Sequence, residues 1–266
     1  MKDTNKINAL LQLAAFVLMS ALNAAANILP INGYNTGEIS AMFPNYFVPA
    51  GFTFAIWSFL YLLQTFWVLL CLKVAFKKED DLSLVSLVSL LMPYFSLACL
   101  LNGAWILCWH FLMIGGSLVI MIVLLIVLIA LYYQLRAFTV TPEGWVSWVI
   151  PIVFVTYLAW ICVAIIANAT AYLVRLGMND FIISGPLWSV IMILVALFLS
   201  LWIGGKKKES AFAFVLAWAF FGIYQGQLPE SIMVGYTALG ASVISFYIGV
   251  YAAVNKARAS AIDGVL

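Results

Sequence analysis

Charge is scarce in this 266-residue chain. Asp, Glu, Lys and Arg make up 8% of it and apolar residues 66%, against roughly 25% and 45–50% in soluble domains. No acidic or basic residue lies centrally in any long apolar run. Proton relays and ion-coupled pumps need ionisable groups at depth, so coupled transport ranks low, with backbone-carbonyl ion sites as its remaining route. Histidine occurs once, as His110. With one imidazole and no deep carboxylate there is no metal cluster, no nucleophile–base pair and no acid–base couple, so no hydrolase and no enzyme is expected. His110 itself is a weak candidate for a haem ligand, since one imidazole can hold haem iron from one side. Hydrogen bonding or anchoring is its plainer role. The four cysteines, Cys71, Cys99, Cys108 and Cys162, all fall inside apolar runs at no metal-ligand spacing and read as small packing residues. A net charge of +2 gives nucleic acid nothing to hold.

What the chain has instead is length of hydrocarbon. Runs near or above the roughly 20 residues that span a bilayer lie at about Ile7–Leu29, Phe52–Phe76, Leu91–Met113, Ser117–Leu135, Trp145–Leu176, Ile183–Ile203, Ala211–Tyr224 and Ile232–Val254. They predict an all-α integral membrane protein with eight transmembrane helices. The seventh is short unless Gln225 and Gln227 lie within it. The run LSLVSLVSL before the third either lies in the interface or extends a tilted helix. Eight crossings from a cytoplasmic N-terminus put eleven of the twelve Lys and Arg on the cytoplasmic side, leaving Arg175 outside, as the positive-inside rule requires. Both termini are therefore expected in the cytoplasm and the loop 30–51 outside, in the cytoplasmic membrane of a bacterium. Lys2 and Lys6 before an apolar run and Ala24-Ala25-Ala26 also fit a cleaved secretory signal. The run is long for one, so a retained first helix is expected.

The stretch PAGFTFAIWSFLYLLQTFW carries Trp57, Tyr61 and Gln64 at intervals of four and three. A lipid-facing helix has no use for that row, because an amide facing hydrocarbon must find a partner. The third helix repeats the pattern with Asn102, Trp105 and Trp109, and the fifth with Tyr157, Trp160, Ala164 and Asn168. Asn23 and Asn27 give the first helix a similar face. Topology places Asn23, Asn27, Trp57, Tyr61, Trp105 and Asn168 in the external half, with Gln64, Asn102 and Trp160 near the midplane. Convergent faces would line a ligand pocket lidded by loop 30–51. The competing reading is that amides glue helices together and aromatics anchor them at the interface. Trp145, Trp148, Trp188 and Trp202 read as such anchors.

Pro49-Ala50-Gly51-Phe52-x-Phe54-x-x-Trp57-x-x-x-Tyr61 resembles the second-helix signature of the tryptophan-rich sensory protein, or translocator (TspO/MBR), family. Asn102-x-x-Trp105 followed by Gly115-Gly116, and Tyr157-x-x-Trp160-x-x-x-Ala164-x-x-x-Asn168-Ala169, resemble its third- and fifth-helix motifs. The resemblance covers about Ile7–Leu176. It implies a five-helix transmembrane region at 1–176, with three additional helices and a cytoplasmic C-terminus at 177–266. It also implies binding of porphyrins, sterols or similar ligands beneath the first loop, often in a homodimer, with Trp57, Tyr61, Asn102, Trp105, Trp160 and Asn168 lining the cavity and Phe47, Pro49 and Gly51 in the lid. This chain departs from the pattern. Phe47 stands in a loop that commonly holds Trp, Pro49-Ala50-Gly51-Phe52 replaces Pro-Pro-Gly-Trp, Tyr172 stands where Trp is frequent, and Met121 where an acid is. Those losses remove indoles that the porphyrin breakdown of some members is thought to use. Leu216-Ala217-Trp218 in the seventh helix echoes Leu158-Ala159-Trp160 in the fifth.

Together these readings predict a polytopic protein that binds an apolar, flat ligand, a tetrapyrrole or a sterol-like molecule, as sensor or facilitator of its movement, with no required cofactor. Its expected partners are the lipid bilayer, that hydrophobic small molecule and a second copy of itself. A ligand-free scaffold comes second and a substrate transporter third.

Overall fold

The computed structural model describes residues 2–29, 31–77, 79–140, 142, 144–178 and 183–263. Pro30 of the loop 30–51 and Lys78 of the charge pattern lie outside these, as do the side chains of Lys2 and Arg258. Among the described residues there is no strand. The helices are α1 (Lys2–Ile28), the short α2 (Thr36–Ala41), α3 (Ile56–Phe76), α4 (Leu82–His110), α5 (Ile114–Ala137), α6 (Val146–Arg175), α7 (Gly185–Leu199), α8 (Ser210–Gln227) and α9 (Ile232–Asp263). One-turn 3₁₀ segments occupy Ile31–Gly33 and Gly51–Ala55, and α7 runs on into a π-helical stretch, Ser200–Lys206.

All eight apolar runs form helices, and seven of them are long and apolar enough to cross a membrane. The remaining one is α8. It does take in Gln225 and Gln227, but with those amides its 18 residues fall short in mean apolarity. The run LSLVSLVSL belongs to α4, which reaches 29 residues. Asp81 caps it by accepting from the Ser83 and Leu84 amides at 2.9 and 3.1 Å, a side-chain answer to the unpaired N–H groups of a first turn. Ser86 and Ser89 return their hydroxyls to the Leu82 and Val85 carbonyls, so the serines cost the apolar helix little.

The chain divides into two compact units. The first comprises Met1–Ile39 and Ile56–Leu158. In it α1 packs against α3 and α4, and α4 against α5. Its core is centred on Trp67, Phe95 and Phe154, all buried. Trp67 meets Phe154 edge-on at 4.8 Å between centroids and Phe95 at 6.4 Å, the arrangement that ring quadrupoles favour. The Trp67 indole N–H donates to Gln12 Oε1 at 3.2 Å, giving the one polar atom of that cluster an acceptor across α1 and α3.

The second unit comprises Ser40–Ala55 and Ala159–Leu266. Here α8 lies against α9, and α7 with its π-helical extension packs on both. Small residues set the spacing. A Cβ on Gly204 would stand 2.7 Å from Ala213 Cβ, and one on Gly249 2.7 Å from the Phe214 ring, so these contacts require glycine. Ser242 crosses the α8–α9 seam to donate to the Ala217 carbonyl at 2.8 Å, the kind of interhelical bond expected where backbones approach closely.

Candidate functional site

In the first unit the aromatic row of α3 meets that of α4. Trp57 stacks on Tyr61 (5.8 Å, 21°) and on Trp105 (6.2 Å, 27°), and Trp105 on Trp109 (6.0 Å, 23°). The result is a continuous column of four rings drawn from two helices. The amides are used differently. Asn23 donates to the Met19 carbonyl and to Asn102 Oδ1 at 2.8 Å, and Asn102 donates onward to the Tyr157 hydroxyl at 3.1 Å. Asn102 is fully buried and bonded at both ends of its amide, so it ties α1, α4 and α6 together. Gln64 is just as buried, yet neither of its amide atoms has a partner, and the buried Tyr61 hydroxyl has none either. The unspent polar capacity of this unit therefore lies on α3 and on α1, where Gln12 Nε2 and the Ser20 hydroxyl also lack partners.

His110 closes the C-terminal end of α4. Its Nδ1 faces the Ile31 carbonyl at 3.2 Å, which can only accept, so Nδ1 carries the proton and Nε2 accepts from the Thr36 hydroxyl at 3.1 Å. Asn32 donates to the His110 carbonyl, and the Trp109 indole reaches the Thr36 carbonyl at 3.4 Å. With both ring nitrogens engaged, the imidazole serves as a clasp for residues 31–36. No group of three or more metal-ligating side chains occurs among the described residues.

In the second unit the segment 48–53 lies on α8. Ala50 N–H donates to the Gly222 carbonyl (2.9 Å), Gln227 Nε2 to the Val48 carbonyl (2.7 Å) and the Trp218 indole to the Thr53 carbonyl (3.0 Å). Phe52 packs edge-on to Trp218 at 5.4 Å. The approach is close enough that only glycine fits below it. A Cβ on Gly222 would sit 2.0 Å from Thr53 Oγ1, and one on Gly226 2.8 Å from the Ala50 amide.

Beside this seated segment is a cavity of about 710 Å³. The loop contributes Ala41, Pro44, Asn45, Tyr46 and Val48 to its wall, and α6 contributes Thr170, Leu173 and Val174. Met178, Ile183, Gly185, Trp188 and Ser189 close another side, with Gln227 and Glu230 at the end of α8. Trp188 lines the cavity and its buried indole N–H has no acceptor. Trp145, Trp148 and Trp202 are about half exposed or more, as interface anchors should be. Trp188, expected to match them, is a cavity residue instead. A Trp near a helix end looks the same in sequence for either role, so only the missing hydrogen-bond acceptor sets it apart.

The expected pocket residues are distributed as follows. Trp57, Tyr61, Gln64, Asn102, Trp105, Trp109 and Tyr157 belong to the first unit, and Trp160, Ala164 and Asn168 to the second. Trp160 and Asn168 are buried and Ala164 half-buried. None of the ten lines the cavity of the second unit. Thr170 follows Asn168 by two residues, about 200° round the helix, so α6 turns a different face to that cavity. Of the lid residues, Phe47 is fully buried, Pro49 half-buried and Gly51 exposed.

A helical membrane protein with a cavity walled in part by a loop is the class these features define. A model of the TSPO-like protein family matches residues 9–251, and the chain belongs to that family. The match runs past residue 176, through α7 and α8 and into α9. No curated protein and no solved structure gives a significant match.

Proposed function

We propose that this TSPO-like protein binds an apolar, flat small molecule, sterol-like or tetrapyrrole, within the membrane and acts as a sensor or facilitator of its movement. The 710 Å³ cavity carries this reading. Its size falls in the range of drug-sized ligand sites, and its wall is of the kind such sites have, mostly apolar with a few polar groups. Pro44, Val48, Leu173, Val174, Met178, Ile183 and Trp188 supply apolar surface. Loop 41–48 supplies a cover, because the chain immediately after it is seated on α8 by the Ala50–Gly222 backbone bond and by the Gln227 and Trp218 side chains, which donate to the Val48 and Thr53 carbonyls. In this reading the loop faces the outside and both termini the cytoplasm.

The ring column of the first unit has a narrower role. Asn102 bonds to Asn23 on one side and to Tyr157 on the other, which favours helix association as its task. A photoreactive sterol added to the full-length protein in lipid nanodiscs tests the assignment. Crosslinks are expected in peptides containing 170–178 and 183–189, displaced by excess unlabelled sterol. Saturable crosslinks confined to 57–64 and 102–109 would move the site to the ring column. No saturable crosslinking by a sterol or a porphyrin would leave the scaffold reading in its place.

A further inference from the structure

We infer that the cavity selects its guest by head-group charge, taking a rigid apolar frame that ends in an alcohol or an amine and disfavouring one that ends in a carboxylate. This rests on the binding reading above. Glu230 is the one charged residue among the described residues of the wall, and it stands in the turn that follows α8. Arg175, next in sequence to the lining residue Val174, is exposed and is not part of the wall. Glu230 is itself exposed, so water supplies its donors, and what its carboxylate adds to the wall is repulsion of an anion and attraction of a cation.

The rest of the polar wall is largely committed. Asn45 spends its amide on the Phe43 carbonyl and the Phe47 N–H, Thr170 gives its hydroxyl to the Ile166 carbonyl, and Gln227 gives its Nε2 to Val48. Trp188 is the exception, a buried N–H without an acceptor, and a buried donor left unpaired is costly. The guest that suits this wall carries an acceptor oxygen for Trp188 and no negative charge toward Glu230. A sterol-type alcohol meets both conditions, and an ammonium forgoes the first but is drawn to Glu230. A dicarboxylic tetrapyrrole brings the wrong sign of charge to Glu230, which turns the reading away from porphyrin acids.

Three competitors with one ring system separate these cases: cholesterol, its 3-amino analogue and cholesteryl hemisuccinate. Each is titrated against the photoreactive sterol on the full-length protein in uncharged nanodiscs. The amine and the alcohol are expected to displace the label up to about fivefold better than the hemisuccinate, the size of a partly solvated charge effect. Glu230→Gln should shrink that ratio to within twofold and Glu230→Lys should invert it, both variants eluting as the wild type does. Trp188→Phe should weaken the alcohol and the hemisuccinate, which offer its N–H an acceptor oxygen, more than the amine. A ratio near one in the wild type, or one unchanged by Glu230→Gln, overturns the charge selection while leaving binding intact. Displacement by none of the three overturns the binding reading and this inference with it.

Discussion

Replacing Gly222 by alanine asks whether the loop segment is held on α8 as described. The added methyl would stand 2.0 Å from Thr53 Oγ1, 2.7 Å from its Cγ2 and 2.9 Å from its Cβ. The hydroxyl must retreat by about 1.4 Å to reach the 3.4 Å of ordinary contact. Thr53 is fully buried, so its side chain has nowhere to rotate and the 3₁₀ segment Gly51–Ala55 must move as a piece. Overpacking of this kind costs about 1–3 kcal/mol. The displaced segment also loses the Ala50–Gly222 bond, worth about 1 kcal/mol. A total of about 2–4 kcal/mol should lower the melting temperature by on the order of 5–10 °C, read by intrinsic fluorescence in detergent. Thr53→Gly in the same chain removes all three clashing atoms and should recover most of the loss, a coupling that only neighbours show. Gly240→Ala, with nothing within 4 Å, is the control and should melt as the wild type. An unshifted Gly222→Ala protein would refute the seating of the loop on α8.

Three further outcomes are expected. Ala50→Pro, which restores the commoner family dipeptide, removes the N–H that reaches Gly222 and should destabilise the protein by about 1 kcal/mol or more, whereas Ala50→Ser should be silent in the same melt. Asn102→Leu breaks the Asn23–Asn102–Tyr157 chain and should cost about 1–3 kcal/mol in thermal stability while sterol crosslinking at 170–189 persists; loss of that crosslinking would contradict the separate roles given to the two sites. An α8 of 18 residues rises about 27 Å, close to the roughly 30 Å hydrocarbon thickness, so epitope tags at the two termini should be protected on the same side of the membrane. Opposite sides would mean that α8 does not cross.

The helical membrane fold was legible because its cause is local: each apolar run must satisfy its own backbone in hydrocarbon, and a helix does that from within. The family was legible for a related reason, since rows at intervals of three and four, such as Tyr157, Trp160, Ala164 and Asn168, keep their helical faces whatever packs against them. Helix ends were harder. The capping of α4 by Asp81 depends on one acidic residue before nine apolar and hydroxyl residues, and hydropathy alone does not register it. The cavity was not legible at all. Its wall combines a loop, the far side of α6 and the starts and ends of other helices, so no periodic signal in any one segment marks it. Departures from the family motif proved more informative than matches to it. Ala50 and Phe52 stand where Pro and Trp are common, and the structure uses the Ala50 amide to reach Gly222 and the Phe52 ring to meet Trp218. The echo of Leu158-Ala159-Trp160 in Leu216-Ala217-Trp218 has a local use too, because Trp218 is the residue that bonds the Thr53 carbonyl.

The glycines at 222 and 226 sit one turn apart; Gly226 receives the main chain of 48–50, and Gly222 receives the Ala50 amide and the Thr53 side chain. Burden and licence are thereby shared unequally across that contact. Most residues at 48–52 can be exchanged for others of any shape that preserve the path and the amide of residue 50, whereas α8 tolerates no enlargement at two sites that carry no chemistry of their own. A library of variants scored for correctly inserted protein should show the asymmetry directly, with substitutions accepted along the loop and purged from an unremarkable pair of positions more than 160 residues downstream.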